Sequence, residues 1–186
     1  MKTRIWLTAV LCLALGCAKV PNDPNDPANP VWNPDDLRGP MRYNGPIVYL
    51  SPGMSTVRAG SQFGLEIRAM NFATIEAERV KGIHLVLGLP PGIAFTKLDT
   101  LGFLRESGGT VFGWAETTGD SLTLDLVRVG DPPATPADSG SVARIWLRAS
   151  QEGQISVDKE RCALRNSNNN PIQNVETRGA WVEVMP

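Results

Sequence analysis

A single histidine, His84, limits the acid–base chemistry open to this chain. One imidazole cannot assemble a multi-histidine zinc site, and a Ser-His-Asp triad would have to use this residue. No Gly-x-Ser-x-Gly turn is present to expose a serine nucleophile. His84 sits in an alternating stretch on the side opposite Leu85, so it is expected to face solvent. Glu116, Asp120, Asp131 and Asp138 fall in or near turns, and Asp125 lies within a strand-like run. Glycoside hydrolysis needs two carboxyl groups roughly 5 to 9 Å apart, and the spacing singles out no such pair. Ser107-Gly108-Gly109 leads into a strand rather than a helix, so it is no phosphate cradle. Asn22-Asp23-Pro24-Asn25-Asp26 lacks the alternating acids and the glycine of a calcium loop. The expectation is a chain with no catalytic residue, no metal and no cofactor.

Recognition chemistry is better represented. Across residues 143 to 149, Ala143, Ile145, Leu147 and Ala149 share one face. Arg144, Trp146 and Arg148 therefore fall on the other. Trp114 shares a face with Phe112 and Glu116 and is expected to sit likewise on a neighbouring strand. Trp181 alternates outward from Val182 and Val184. Large aromatics and arginines on an outer sheet face are the composition of a binding hot spot. The competing readings are that the N-terminal tether or residues 74–81 cover them, or that the strand register is off by one. Tryptophan also suits stacking on a sugar ring, so protein and polysaccharide both remain open as ligands.

These residues must be held by strands. Period-two alternation runs through Ile47–Leu50, Gln62–Met70, Ile83–Leu89, Thr110–Ala115, Leu122–Leu126, Ala143–Ala149, Ile155–Val157, Cys162–Leu164 and Ala180–Val184. Turn signals separate them, among them Ser51-Pro52-Gly53, Pro90-Pro91-Gly92, Thr118-Gly119-Asp120 and Glu152-Gly153. About nine short strands at this spacing predict an all-β sandwich. The one helical candidate, residues 74–81, is barely two turns long and could equally be a loop.

The N-terminus has another character. Lys2 and Arg4 precede an uncharged apolar run, Ile5–Leu15, closed by Gly16-Cys17. A basic head and an apolar core of about 11 residues describe a secretory signal too short to span a bilayer. Leu13-Ala14-Leu15-Gly16-Cys17 resembles the lipobox of bacterial lipoproteins, which implies cleavage after residue 16 and lipidation of the Cys17 thiol. Ala18-Lys19 places no aspartate after that cysteine, which by the same resemblance implies the outer membrane or cell surface. From residue 17 to 45, Pro recurs every few positions among Asn and Asp, with no apolar periodicity. That composition predicts a disordered, semi-rigid tether. The chain has 18 basic and 19 acidic residues, and no two basic residues are adjacent, so nucleic acid is not an expected partner. Of its three cysteines, the lipobox resemblance implies that Cys12 leaves with the leader and that Cys17 carries lipid. Cys162 is then left without a disulfide partner and is expected as a buried strand thiol.

Residues 46 to 186 resemble the cohesin domain, the jelly-roll receptor module that binds dockerins. Val57-Arg58-Ala59-Gly60-Ser61-Gln62-Phe63 is similar to the family's entry into its second strand. Val80-Lys81-Gly82-Ile83-His84-Leu85 is similar to the following strand, with its glycine before an alternating run. Asp138-Ser139-Gly140 to Ala149 resembles the family's most recognisable block, a turn glycine followed by alternating residues. Glu152 to Val157, Ala163 to Ile172 and Gly179 to Val184 resemble the strands and hairpin that close the domain. Two places depart from the pattern: Gly88-Leu89-Pro90-Pro91-Gly92 replaces a Tyr-Asp-Pro-like turn, and the hairpin carries Asn where an acid and a glycine are common. The resemblance implies a jelly-roll sandwich and a dockerin-like protein partner. A carbohydrate-binding module of similar shape is the alternative.

Overall fold

The computed structural model describes residues 45–72, 80–105, 109–130 and 139–186. The leader with Cys17, the Pro/Asn/Asp segment up to residue 44 and residues 74–79 of the helical candidate lie outside them. Val80 and Lys81, the end of that candidate, open a strand instead.

Twelve strands are described: β1 (Ile47–Ser51), β2 (Met54–Arg58), β3 (Gln62–Met70), β4 (Val80–Gly88), β5 (Ile93–Thr100), β6 (Thr110–Thr118), β7 (Ser121–Val129), β8 (Gly140–Ala149), β9 (Gly153–Val157), β10 (Ala163–Asn166), β11 (Glu176–Arg178) and β12 (Ala180–Met185). Nine were expected. The three additions have weak signals for physical reasons. In β2 no residue is fully buried, so its apolar side chains mark no inner face. A register shift between Phe95 and Lys97 breaks the alternation of β5. Three residues of β11 are too few to show a period.

The strands form two sheets. One has five strands in the order β11-β1-β3-β8-β5; the other runs β2-β12-β9-β4-β7-β6, with β10 also paired to β4. β1 pairs with β11 in parallel and β12 with β2 in parallel, while the other strand pairs are antiparallel. The chain passes repeatedly between the sheets, giving a jelly-roll sandwich.

Alternation decides what fills the space between. Leu65, Ile67, Ile145 and Leu147 point inward from the five-stranded sheet. Leu85, Leu87, Leu122, Leu124 and Leu126 meet them from the other. All nine are essentially fully buried, and each contributes about 1.5–3 kcal/mol relative to exposure. Phe72 packs edge-on to Phe103 with ring centroids 5.8 Å apart, continuing this core. The outward-facing residues of the same strands are then free to do other work.

Candidate functional site

The outer face of β3, β8 and β5 carries Arg144, Trp146 and Arg148, as the alternation of β8 predicts. Ala143, Ile145 and Leu147 are fully buried beneath them, so the outward placement is fixed by the core. Trp146 lies opposite Gly64 on β3 and Lys97 on β5. A Cβ at position 64 would stand 3.1 Å from the Arg144 Cδ and 3.5 Å from the Trp146 ring. Glycine there leaves room for both side chains to lie along the sheet.

Two carboxylates, Asp99 and Glu66, organise the polar groups around Trp146 and Arg144. The Trp146 indole N–H donates to Asp99 Oδ2 at 2.7 Å. Lys97 pairs with Asp99 Oδ1 at 2.6 Å. The Arg144 guanidinium donates to Glu66 Oε1 at 2.6 Å, and the Ser141 hydroxyl donates to Oε2 at 2.7 Å. Arg144 also stands over the Trp146 ring, 5.7 Å from its centroid, within cation–π range. Hydrogen bonds from Ser141 and Arg144 hold the Glu66 carboxyl below its ordinary value. The Lys97 ammonium, then the Trp146 N–H, do the same for Asp99. Half-buried Trp146 is thus clamped on two sides, while Arg148 at its end of the row is exposed. Arg68, Lys97, Arg144 and Arg148 outnumber Glu66 and Asp99 on this face, which makes it electropositive.

Trp114 does not join them. It belongs to β6 in the seven-stranded sheet, so the expected neighbouring-strand placement is wrong. Alternation fixes which side of a strand a residue takes, but not which sheet the strand enters. Trp181 is half-buried opposite Gln154 and Met54. Glu66, Asp99, Lys97, Ser141 and Gly64 were missed by sequence reasoning. Their only signal was outward parity on strands that turn out to flank β8, and β5 itself was unrecognised.

His84 is half-exposed, as expected of an outward residue, but it is engaged: Nδ1 lies 2.7 Å from Asp125 Oδ1 across the β4–β7 pairing. Among the described residues, no serine hydrogen-bonds to this pair to complete a triad. Cys162 lies just before β10 and is half-buried rather than an interior strand thiol. Its Sγ accepts the Val86 N–H at 3.4 Å, and desolvation raises the thiol's pKa, the reverse of an activated nucleophile. Among the described residues, no group of three His, Cys, Asp or Glu side chains could hold a metal ion. No described helix is long and apolar enough to cross a membrane.

No protein-family model and no curated protein matches the sequence. The fold, however, matches solved cohesins. A non-cellulosomal cohesin from the archaeon Archaeoglobus fulgidus aligns at a TM-score of 0.57 and 12% identity, over 76% of this chain and 92% of that one. The third ScaC cohesin of Acetivibrio cellulolyticus, solved in complex with the ScaB dockerin, aligns at 0.58 and 16% identity, over 76% and 99%. The OlpA cohesin of Clostridium thermocellum, also solved in a cohesin–dockerin complex, aligns at 0.59 and 11% identity, over 76% and 100%. At these identities the likeness establishes a cohesin-like fold.

Proposed function

We propose that this chain is a non-catalytic docking lipoprotein, held at the outer membrane or cell surface through acylated Cys17. On this reading its cohesin-like domain binds a protein partner of the dockerin kind through the outer face of β3, β8 and β5. The observation that carries the reading is the clamped Trp146, with Arg144 and Arg148 beside it on an electropositive sheet face. A preordered tryptophan loses little side-chain entropy when a partner covers it, and Arg and Trp dominate binding hot spots. Arg144 and Arg148 would meet carboxylates or backbone carbonyls on the partner. The solved cohesin–dockerin complexes of similar fold support the partner class. Cys17 and the tether segment supply a reason for a binding domain to stand away from a membrane, since two or three acyl chains anchor stably where one does not.

The test is capture of dockerin-bearing proteins from the native secretome on the immobilised chain, followed by calorimetry with each protein identified. Binding that falls when Trp146 is changed to Ala supports the reading. Capture of no dockerin-like protein, or capture indifferent to Trp146→Ala and Arg144→Ala, overturns it. Metabolic labelling with a palmitate analogue, lost in Cys17→Ser, tests the anchor separately.

A further inference from the structure

Two sheets have four outer strands, and three of the four are protected. An unpaired sheet edge is a template for another strand, so proteins shorten, bulge or charge their edges. β11 is three residues long and β2 five. β5 carries a register shift at Phe95/Lys97 and a lysine at that point. β6 has none of these devices. It is nine residues long, pairs with β7 in nine unbroken register steps from Thr110–Val129 to Thr118–Ser121, and contains no Lys, Arg or Pro. Among the described residues no strand pairs its other side.

The unprotected edge is also the most apolar exposed surface described. Phe112 is 63% and Trp114 52% exposed on the outer face of β6, with Val127 and Val129 of β7 at 45% and 52% beside them. Phe112 stands opposite Val127, and Trp114 opposite Asp125. Beyond Val127 the next position on β4 is Gly82, which adds no side chain to screen the patch.

We infer that β6 pairs antiparallel with β6 of a second copy of this chain, joining the two seven-stranded sheets about a two-fold axis at Gly113. Hairpin geometry supplies the hydrogen bonds. Thr118 and Ser121 close a two-residue turn, with Gly119 at φ 61° in its first central position. In such a type II′ hairpin the closing pair exchanges both hydrogen bonds. Alternation from that pair turns the N–H and C=O groups of Val111, Gly113, Ala115 and Thr117 towards the open edge. Centring on Gly113 sets Val111 against the partner's Ala115 through those groups. The same register sets Phe112 against the partner's Trp114, twice by symmetry, which is a favourable cross-strand pair.

Charge permits the self-pairing. Glu116 is the strand's only charged residue, and in this register it meets the partner's Thr110 rather than a second Glu116. The two half-exposed aromatics of each copy offer on the order of 200 Å² of apolar surface, since such side chains bury about 150–250 Å² when fully covered. With one strand's backbone added, the interface stays below about 1,200 Å², the size of weak, transient complexes. The dimer is therefore a low-affinity one that needs high local concentration, which confinement of copies on one surface would raise. This edge lies in the other sheet from Trp146, so the inference stands or falls independently of the docking face.

The full chain carrying Thr110→Cys together with Glu116→Cys tests the register. Within one chain these positions lie six residues apart, about 20 Å along the strand, too far for a disulfide. Across the axis they face each other as a non-hydrogen-bonded pair. Mild oxidation of expressing cells should give a covalent dimer on a non-reducing gel from the double variant, and little from either single variant. Adding Phe112→Lys to the double variant should lower the dimer fraction by roughly tenfold. No dimer, equal dimer from the single variants, or indifference to Phe112→Lys overturns the inference. So does a monomeric wild type retained on insoluble polysaccharide through Phe112 and Trp114, which would make the patch a sugar platform.

Discussion

The indole N–H of Trp146 on β8 donates to the Asp99 carboxylate on β5 at 2.7 Å, and the same carboxylate takes the Lys97 ammonium. A residue on the sheet's edge strand thereby fixes the orientation of the largest side chain in the candidate docking face. Replacing Asp99 with Ala frees both partners. Partner affinity should fall by roughly threefold to tenfold, while Trp146→Ala, which removes the anchor itself, should cost about thirtyfold or more. Because the pair is surface-exposed, the melting temperature of Asp99→Ala should stay within about 2 °C of wild type. Calorimetry with the captured partner and a thermal melt together separate the two effects.

How much of this was legible in the sequence follows from what alternation encodes. Leu122, Leu124 and Leu126, or Ile145 and Leu147, reveal strands because one face must be apolar wherever a sheet covers a core. The outward position of Arg144, Trp146 and Arg148 came from the same rule. Which strands lie beside β8 is decided by long-range pairing, on which local alternation is silent. Asp99 and Glu66 therefore could not be assigned to Trp146 and Arg144, and Trp114 was placed in the wrong sheet. The bulge at Phe95/Lys97 hid β5, and with it both residues that hold the Trp146 side of the array.

Leu124 and Phe112 provide a matched pair on adjacent strands, one facing the core and one facing out. Leu124→Ala should destabilise the domain by about 3 kcal/mol, because a fully buried leucine leaves a cavity that the sandwich cannot fill. Phe112→Ala should change stability by no more than about 0.5 kcal/mol. Chemical denaturation of both variants measures the difference. Equal effects would mean that the assignment of inner and outer faces on β6 and β7 is wrong.

Cys162 should behave as a protected thiol. Desolvation raises its pKa, and the Val86 N–H occupies the sulfur at 3.4 Å. Alkylation by iodoacetamide near neutral pH should run at least about tenfold slower than for a small exposed thiol. Denaturant should abolish that protection. Mass spectrometry resolved to the Cys162 peptide distinguishes it from the other cysteines.

Glu66 gives the docking face its dependence on pH. Hydrogen bonds from Ser141 and then Arg144 stabilise the carboxylate, so its folded pKa lies below the ordinary 4.5. A group with a depressed folded pKa contributes stability above its unfolded pKa and loses it as pH falls through the folded value. Between about pH 6 and 5 the contribution is fully present; below about pH 4.5 the unfolded chain binds the proton first, and stability declines. The Glu66→Gln variant lacks this titration. Wild-type stability should therefore fall more steeply than that of the variant from about pH 4.5 downward, with the two slopes matching above about pH 6. Partner affinity should weaken over the same acid range, because protonated Glu66 no longer holds Arg144 over Trp146. Denaturation curves and calorimetry at a series of pH values test both consequences. Parallel wild-type and variant stability profiles would show that the Ser141–Glu66–Arg144 linkage does not shift the carboxyl.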